Sequence, residues 1–405
     1  MFQGKPLSRR MDHVQYAIRE LYPVAEKLER AGEEIAKVNI GDPVPYFGTP
    51  KYILDAYSKA VLEGKTGYGR SPGETGFLEA ISERYARLYE RKISPSDIFA
   101  THGVTEAIQF TNACLMEKGS GCIMFSPFYP ADLPLVREYD GTAYFAESTS
   151  ETNWAFDMGS LEEAANKAEK NGTDLKYVNL INPCNPTGSV WERGDLEKIA
   201  KFAREKGLLL VSDETYDEIV FSGKFMSMSE VTKSQPLMVL NGLSKNWRAT
   251  GLRIGWLALL GDPDSFERLK DGISRLATVR LCPGMAQQYA GIEALSNVEE
   301  HEKALRPFNS EVKARSEYFC RRLNEIPGVS CAPAKGTFYL FPKIDVRAAK
   351  CRDDTEFTRK LLEREKVWAV QGAGFGREGF IRVVALPEIP VIDKACDGIA
   401  RMMKG

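Results

Sequence analysis

Tyr177-Val178-Asn179-Leu180-Ile181, followed at once by Asn182-Pro183-Cys184-Asn185-Pro186-Thr187-Gly188, is the stretch in which the fold is written. The first five residues are a mostly apolar run bounded by a turn cluster, which predicts a strand ending at Ile181. A helix is expected from Asp195 to Glu205, with Asp195 as its N-cap and Gly207 as its stop. Leu208 to Val211 then reads as a second strand. Strand, helix and strand in succession make a βαβ unit, the building block of a parallel sheet covered by helices.

Outward from that unit the pattern continues. Thr105 to Lys118 reads as a helix closed by Gly119, and Cys122 to Phe125 as a short strand. The apolar runs 237–240 and 254–260 extend the sheet. Toward the N-terminus, Ile18, Leu21, Val24, Ala25 and Leu28 recur at helical spacing within 14–31 despite Pro23, and Gly32 is the expected stop. Gly41-Asp42-Pro43 and Gly48-Thr49-Pro50 mark loops, and a helix fits 52–63. From about residue 300 the character changes. Charged helices over 302–325 lead into an alternating strand, Gly336 to Phe341, then a helix near 355–366 and a strand from Phe380 to Ala385. The expected division is an N-terminal segment over 1–48 that packs with the C-terminal domain, a large domain over 49–297, and a small α+β domain over 298–405.

Composition narrows the function. The chain has 405 residues, 43% hydrophobic and 27% charged, as an ordinary globular protein does. Its net charge of −2 offers no electrostatic footing for nucleic acid or an acidic membrane. Met1-Phe2-Gln3-Gly4-Lys5-Pro6 is not followed by the apolar stretch of a signal peptide. The longest apolar runs, such as Ile254 to Leu260, are too short to span a bilayer. Eight scattered cysteines without a C-x-x-C pair, and only three histidines, argue against a metal site and for a reducing cytoplasm.

In open α/β sheets, ligands bind beyond the carboxyl ends of the strands. Asn185 follows the first strand of the βαβ unit, and Ser212-Asp213-Glu214-Thr215-Tyr216 follows its second. Asn241-Gly242-Leu243-Ser244-Lys245 follows the run 237–240. An amide, a carboxylate, a phenol and an amine therefore converge on one edge. A lysine at a strand mouth that loses solvation sheds its proton and attacks carbonyls, forming a Schiff base.

With Arg253-Ile254-Gly255 behind Ser244-Lys245, these strings in this order resemble the class I, fold type I pyridoxal-phosphate aminotransferases from about residue 14 to 400. The resemblance implies an α/β fold: a large domain with a mostly parallel seven-stranded sheet flanked by helices, plus a smaller α+β domain. It implies pyridoxal 5'-phosphate as cofactor, held by Lys245, which then serves as general base and acid. Asp213 would face the pyridine nitrogen and keep the ring protonated, making it an electron sink. Tyr216 and Asn185 would hydrogen-bond the ring's phenolic oxygen. Gly103-Val104-Thr105, at a helix start suited to an anion, would hold the phosphate together with Ser244 and Arg253. Tyr129 matches the aromatic that stacks on the ring, with Phe128 as its competitor. Tyr68 resembles the tyrosine that reaches the phosphate of a neighbouring subunit, which implies a homodimer with shared sites. Arg382 matches the arginine that grips the substrate's α-carboxylate bidentately, beside the backbone of Gly41.

Tyr16-Ala17-Ile18-Arg19, Asn179-Leu180-Ile181 and Val279-Arg280-Leu281-Cys282-Pro283 resemble the alanine aminotransferase-like branch. In that branch Tyr16 helps close the site, and Arg19 is a candidate for the side-chain carboxylate of glutamate or 2-oxoglutarate, with Arg280 as its rival. The implied reaction is ping-pong transfer from an L-amino acid, alanine first, to 2-oxoglutarate, giving pyruvate and glutamate. An aspartate, broad-range or aromatic aminotransferase, or a carbon–sulfur β-lyase on the same fold, are the alternatives.

Overall fold

The computed structural model describes residues 8–14 and 16–404; the reading of Met1 to Pro6 lies outside them. Its centre is a sheet of strands β1 (Ile98–Thr101), β2 (Ser120–Ser126), β3 (Thr142–Glu147), β4 (Asp174–Ile181), β5 (Leu209–Asp213), β6 (Leu237–Gly242) and β7 (Gly255–Leu260). Their order across the sheet is β1-β7-β6-β5-β4-β2-β3. All neighbours run parallel except β7, which is antiparallel to both β1 and β6. The expected α/β large domain with a mostly parallel seven-stranded sheet is present.

The strands read as continuous apolar runs because both faces are covered. Ile123, Val178, Leu210, Val239 and Ala258 enter one core layer. Their chain neighbours Cys122, Tyr177, Leu209, Met238 and Leu257 enter the layer on the opposite face. That is the two-residue period of a strand with helices on both sides. Only the edge strand β3 alternates toward solvent.

A second core gathers Phe319, Leu323, Phe357, Leu361, Ile381, Val383, Ile392 and Ile399 from the C-terminal part. There, β8 (Tyr339–Leu340), β9 (Val370–Gln371) and β10 (Ile381–Val384) form an antiparallel sheet ordered β8-β10-β9. From the N-terminal segment, Ala36–Lys37 pairs in parallel with Val367–Trp368.

Several expected elements differ in detail. The helix expected over 14–31 is a 3-10 turn at Ala17–Arg19 followed by a helix at Tyr22–Arg30. Pro23 sits in that helix's first turn, where its missing N–H costs nothing; its ring bars an α-helix from continuing upstream. Asp195 is not an N-cap. The helix spans Arg193–Glu205 with Glu192 at the cap, and Asp195 lies in the first turn, where its charge favours the helix N-terminus. The helix expected from Thr105 is Val104–Leu115, capped by Gly103 and ended at Met116, short of Gly119. Gly336 to Phe341 is not an alternating strand. Only Tyr339–Leu340 is strand, Thr337 adopts a left-handed φ of 62°, and Phe338, Tyr339, Leu340 and Phe341 are all buried. These four residues are enclosed between the two parts of the chain rather than laid over one core.

Candidate functional site

A cleft of about 560 Å³ opens at the carboxyl ends of β4, β5 and β6. It is lined by Tyr16, Arg19, Gly41, Val104, Thr105, Tyr129, Asn185, Asp213, Tyr216, Ser244, Lys245, Arg253 and Arg382, all expected from the sequence. Gly103 lies immediately behind Val104 as the helix cap. Tyr68 is the exception: it is 87% exposed and lies outside the cleft. A larger hollow of about 1290 Å³ lies at the opposite end of the strands, near Leu208, Pro236 and Phe266, and contains none of these residues.

Lys245 sits just past β6, half-buried, and its Nζ donates to the Gly41 carbonyl at 2.7 Å. Loss of solvent lowers its pKa to about 8, with Arg382 and Arg253 adding to the fall and Asp42 and Asp213 opposing it. Burial disfavours the ammonium, so this amine is poised for nucleophilic work near neutral pH.

Asp213 ends β5 and is 8% exposed. Its Oδ1 accepts from the Thr215 N–H at 3.0 Å and the Thr215 hydroxyl at 2.5 Å. Burial raises its pKa to about 6, against the lowering pull of the Thr215 hydrogen bonds and Lys245. Glu214 points away. Its Oε1 accepts from Ser212, Ser227 and the Met228 N–H, and burial pushes its pKa to about 8.

Beneath the cleft lies a hub that no local sequence pattern marks, Asp217. Its Oδ2 accepts from Arg84 Nη2 at 2.8 Å, the Tyr89 hydroxyl at 2.5 Å and Asn241 Nδ2 at 3.1 Å. Its Oδ1 accepts from Asn246 Nδ2 at 2.5 Å. Asn241 also donates to the Glu214 carbonyl at 2.9 Å. One carboxylate thus ties the loop carrying Asp213 and Tyr216 to the loop carrying Lys245.

At the other side, Arg382 on β10 is 1% exposed. Its Nη2 donates to the Asn39 carbonyl at 2.5 Å and its Nη1 to Asn185 Oδ1 at 3.2 Å. Its guanidinium lies 4.6 Å from the Tyr339 ring centroid and 5.0 Å from that of Phe375. Tyr339 and Asp42 also line the cleft, and sequence reasoning missed both. Asp42 Oδ1 accepts from the Thr250 hydroxyl at 2.9 Å and the Val44 N–H at 3.0 Å. The signal for Asp42 was its place in the Gly41-Asp42-Pro43 loop.

Arg253 adopts a left-handed φ of 51° and donates to the Thr250 carbonyl at 3.0 Å. A Cβ at position 103 would stand 2.5 Å from Arg253 Nη2, and Gly103 has a φ of 74°. Glycine there lets guanidinium and helix N-terminus approach each other, which makes a cradle for an anion. Tyr129 lines the cleft, and its hydroxyl is 3.1 Å from that of Tyr16. Phe128 instead stacks on Phe145 at 5.1 Å within the core. Arg19 stands exposed at the cleft and forms no ion pair among the described residues. Its rival Arg280 is engaged elsewhere, paired with Glu106 at 2.5 Å and donating to the Ser71 carbonyl at 2.9 Å.

No helix among the described residues is long and apolar enough to cross a membrane, and no group of side chains there is arranged to hold a metal ion. The sequence pattern described as aminotransferase class I and II matches residues 36–399. The glutamate-pyruvate aminotransferase AlaA of Haemophilus influenzae is 30% identical over 403 residues, covering 98% of both chains. An aspartate aminotransferase of a Bacillus species is 31% identical over 391 residues, covering 94% of this chain and 95% of that one, so identity alone does not separate the two substrates. The solved alanine aminotransferase of Pyrococcus furiosus superposes with a TM-score of 0.93 at 35% identity, over 98% of this chain and all of that one.

Proposed function

The chain belongs to the class I and II aminotransferases and is a pyridoxal-phosphate-dependent transaminase, and we propose that it moves the amino group of an L-amino acid, alanine by preference, to 2-oxoglutarate. The observation that carries this reading is the enclosure of Lys245, Asp213 and Arg382 in one cleft. The cofactor supplies an aldehyde for amine exchange and a ring that withdraws electrons. The donor set fits it: an amine at Lys245, a carboxylate at Asp213, and an anion cradle that a side chain at Gly103 would fill.

In this reading Arg382 grips the α-carboxylate, since its guanidinium lies over the Tyr339 ring and its buried Nε lacks a partner among the described residues. Lys245 would bind the cofactor's aldehyde through its amine and, when that amine is free, would act as the base that takes the substrate's Cα proton and the acid that returns it. Asp213 would hold the cofactor at its ring nitrogen and supply the negative charge that favours the protonated ring. Val104, Thr105, Ser244 and Arg253 would anchor the phosphate. Asn185, whose Oδ1 accepts from Arg382, and Tyr216 would hold the ring oxygen, and Tyr129 would cover the ring. The amino acid leaves as its 2-oxo acid, and 2-oxoglutarate leaves as glutamate.

What supports alanine as donor is the likeness to relatives that carry alanine or glutamate-pyruvate aminotransferase names, and Tyr16 and Tyr129, joined at 3.1 Å, both line the cleft. Arg19 then serves the longer acceptor. Tyr68 joins the site of a second copy in a homodimer, and Leu62, Val279 and Leu281, all exposed in the single chain, belong to the same interface. Eight free cysteines suit a reducing cytoplasm.

A donor–acceptor panel tests the assignment, reading each half-reaction by the cofactor's spectrum. Alanine and glutamate should convert it fastest and be reversed by pyruvate and 2-oxoglutarate. Faster conversion by aspartate would shift the assignment to that substrate. Pyruvate and ammonia released from cysteine without an oxo-acid acceptor would indicate a β-lyase. Sedimentation of the purified protein checks the dimer.

A further inference from the structure

Tyr339 is where the two walls of the cleft meet. It is 2% exposed and sits on β8, opposite Val384 of the strand that carries Arg382. The left-handed Thr337 turns the chain into this position, and the Thr337 hydroxyl accepts from the Tyr339 N–H at 3.1 Å. Three contacts then converge on one side chain. The ring face carries the Arg382 guanidinium at 4.6 Å. The hydroxyl lies 2.9 Å from that of Tyr216. It also lies so close to Gly41 that a Cβ there would collide with it. Gly41 in turn accepts from Lys245.

Two phenols sharing one hydrogen bond must settle which of them donates. Among the described residues, neither hydroxyl has another hydrogen-bond partner. If Tyr216 spent its proton on Tyr339, it would have none for a ligand oxygen in the cleft. If Tyr339 donates, the Tyr216 proton stays free, and donation into the Tyr216 oxygen makes that proton a better donor, because linked hydrogen bonds polarise one another.

We propose that Tyr339 is a positioning residue with two separable parts: its hydroxyl donates to Tyr216 and so commits the Tyr216 proton to the cofactor's ring oxygen, while its ring face holds the Arg382 guanidinium in place for the substrate carboxylate. The proposal rests on the transaminase reading of the cleft. Burial keeps both phenols protonated through the neutral range, so neither part is lost to titration.

The hydroxyl and the ring are separated by comparing Tyr339→Phe with Tyr339→Leu in the pyridoxal-phosphate-bound protein. Tyr339→Phe should raise the pH midpoint of the bound cofactor's visible absorption change by a few tenths of a unit, since the ring oxygen's negative charge loses support. Its KM for alanine should stay within about twofold, because a phenyl face still carries the guanidinium. Tyr339→Leu should shift the midpoint alike and also raise that KM about tenfold. An unmoved midpoint in Tyr339→Phe overturns the hydroxyl part, and equal KM in both variants overturns the ring part. If Tyr339→Leu does not fold, the hydroxyl part is decided by the midpoint of Tyr339→Phe. Tyr339→Met, nearer the tyrosine in volume, then decides the ring part: it should raise the KM for alanine about tenfold, and an unchanged KM overturns it. Should the unaltered protein bind pyridoxal phosphate but transfer no amine, the transaminase reading falls, whereas a transaminase with an indifferent Tyr339 sinks this proposal alone.

Discussion

On the large-domain wall of the cleft, Asp213, Tyr216 and Lys245 stand on loops tied together from below by four donors converging on Asp217. On the facing wall, Arg382 is held by two ring faces and two oxygen acceptors, with no carboxylate partner among the described residues. The first arrangement fixes atoms by saturating them. The second holds a cation while leaving part of its hydrogen-bonding capacity unspent, as recognition of an incoming anion requires. Damage to the first wall should therefore abolish chemistry or stability, and damage to the second should mainly weaken substrate binding.

The sharpest way to break that contrast is Lys245→Ala. Multiple-turnover transamination should fall at least about ten-thousand-fold, with loss of the cofactor's lysine-linked absorption. Assay and spectrum together check it, and retained activity would end the assignment. Next comes Asp217→Ala, which leaves Arg84 buried with one carboxylate fewer. Urea unfolding of the cofactor-free protein should show a loss of about 3–5 kcal/mol. A loss below about 1 kcal/mol would mean that the hub does not hold the wall. Arg382→Lys keeps the charge but not the fork, and kcat/KM for alanine should drop about a hundredfold with the fold intact.

A smaller effect follows from pH. As the proposed cofactor-binding amine, Lys245 must be neutral to take up pyridoxal phosphate, and burial lowers its pKa to about 8. The rate of cofactor uptake by cofactor-free protein should therefore rise through about pH 8 and level off above it. A stopped-flow midpoint near 10 would show that the amine is not desolvated. In folding, the same group is depressed from 10.5, so the unfolded chain holds more protons between about 8 and 10.5 and stability should rise with pH in that window. Smallest is Arg19→Ala, expected to raise KM for 2-oxoglutarate severalfold and leave alanine turnover unchanged. No change in that KM would remove Arg19 from the acceptor pocket.

The large-domain wall was legible because its residues follow their strands directly, so a string such as Ser244-Lys245 carries both the strand end and the functional group. The facing wall was half legible. Arg382 stood out as a cation in an apolar strand, but Asn39, Tyr339 and Phe375 reach it from separate segments, and no local pattern links them. Asp217 was hidden for the same reason, since Arg84, Asn241 and Asn246 meet it only after folding. The misplaced cap at Asp195 was a boundary error of the kind expected where a neighbouring glutamate can start the helix instead.

The reversed strand β7 has a consequence of its own. Because it runs against β6, the chain leaves the sheet after Gly242 and re-enters it at Gly255, directly opposite. Lys245 stands near the start of that excursion and Arg253 near its end. The loop between them works as a ruler, its two ends clamped by the last rung of the ladder. Its length sets the spacing between the proposed covalent anchor and the proposed phosphate anchor. Inserting one residue there would alter the gauge of the site without removing any functional side chain.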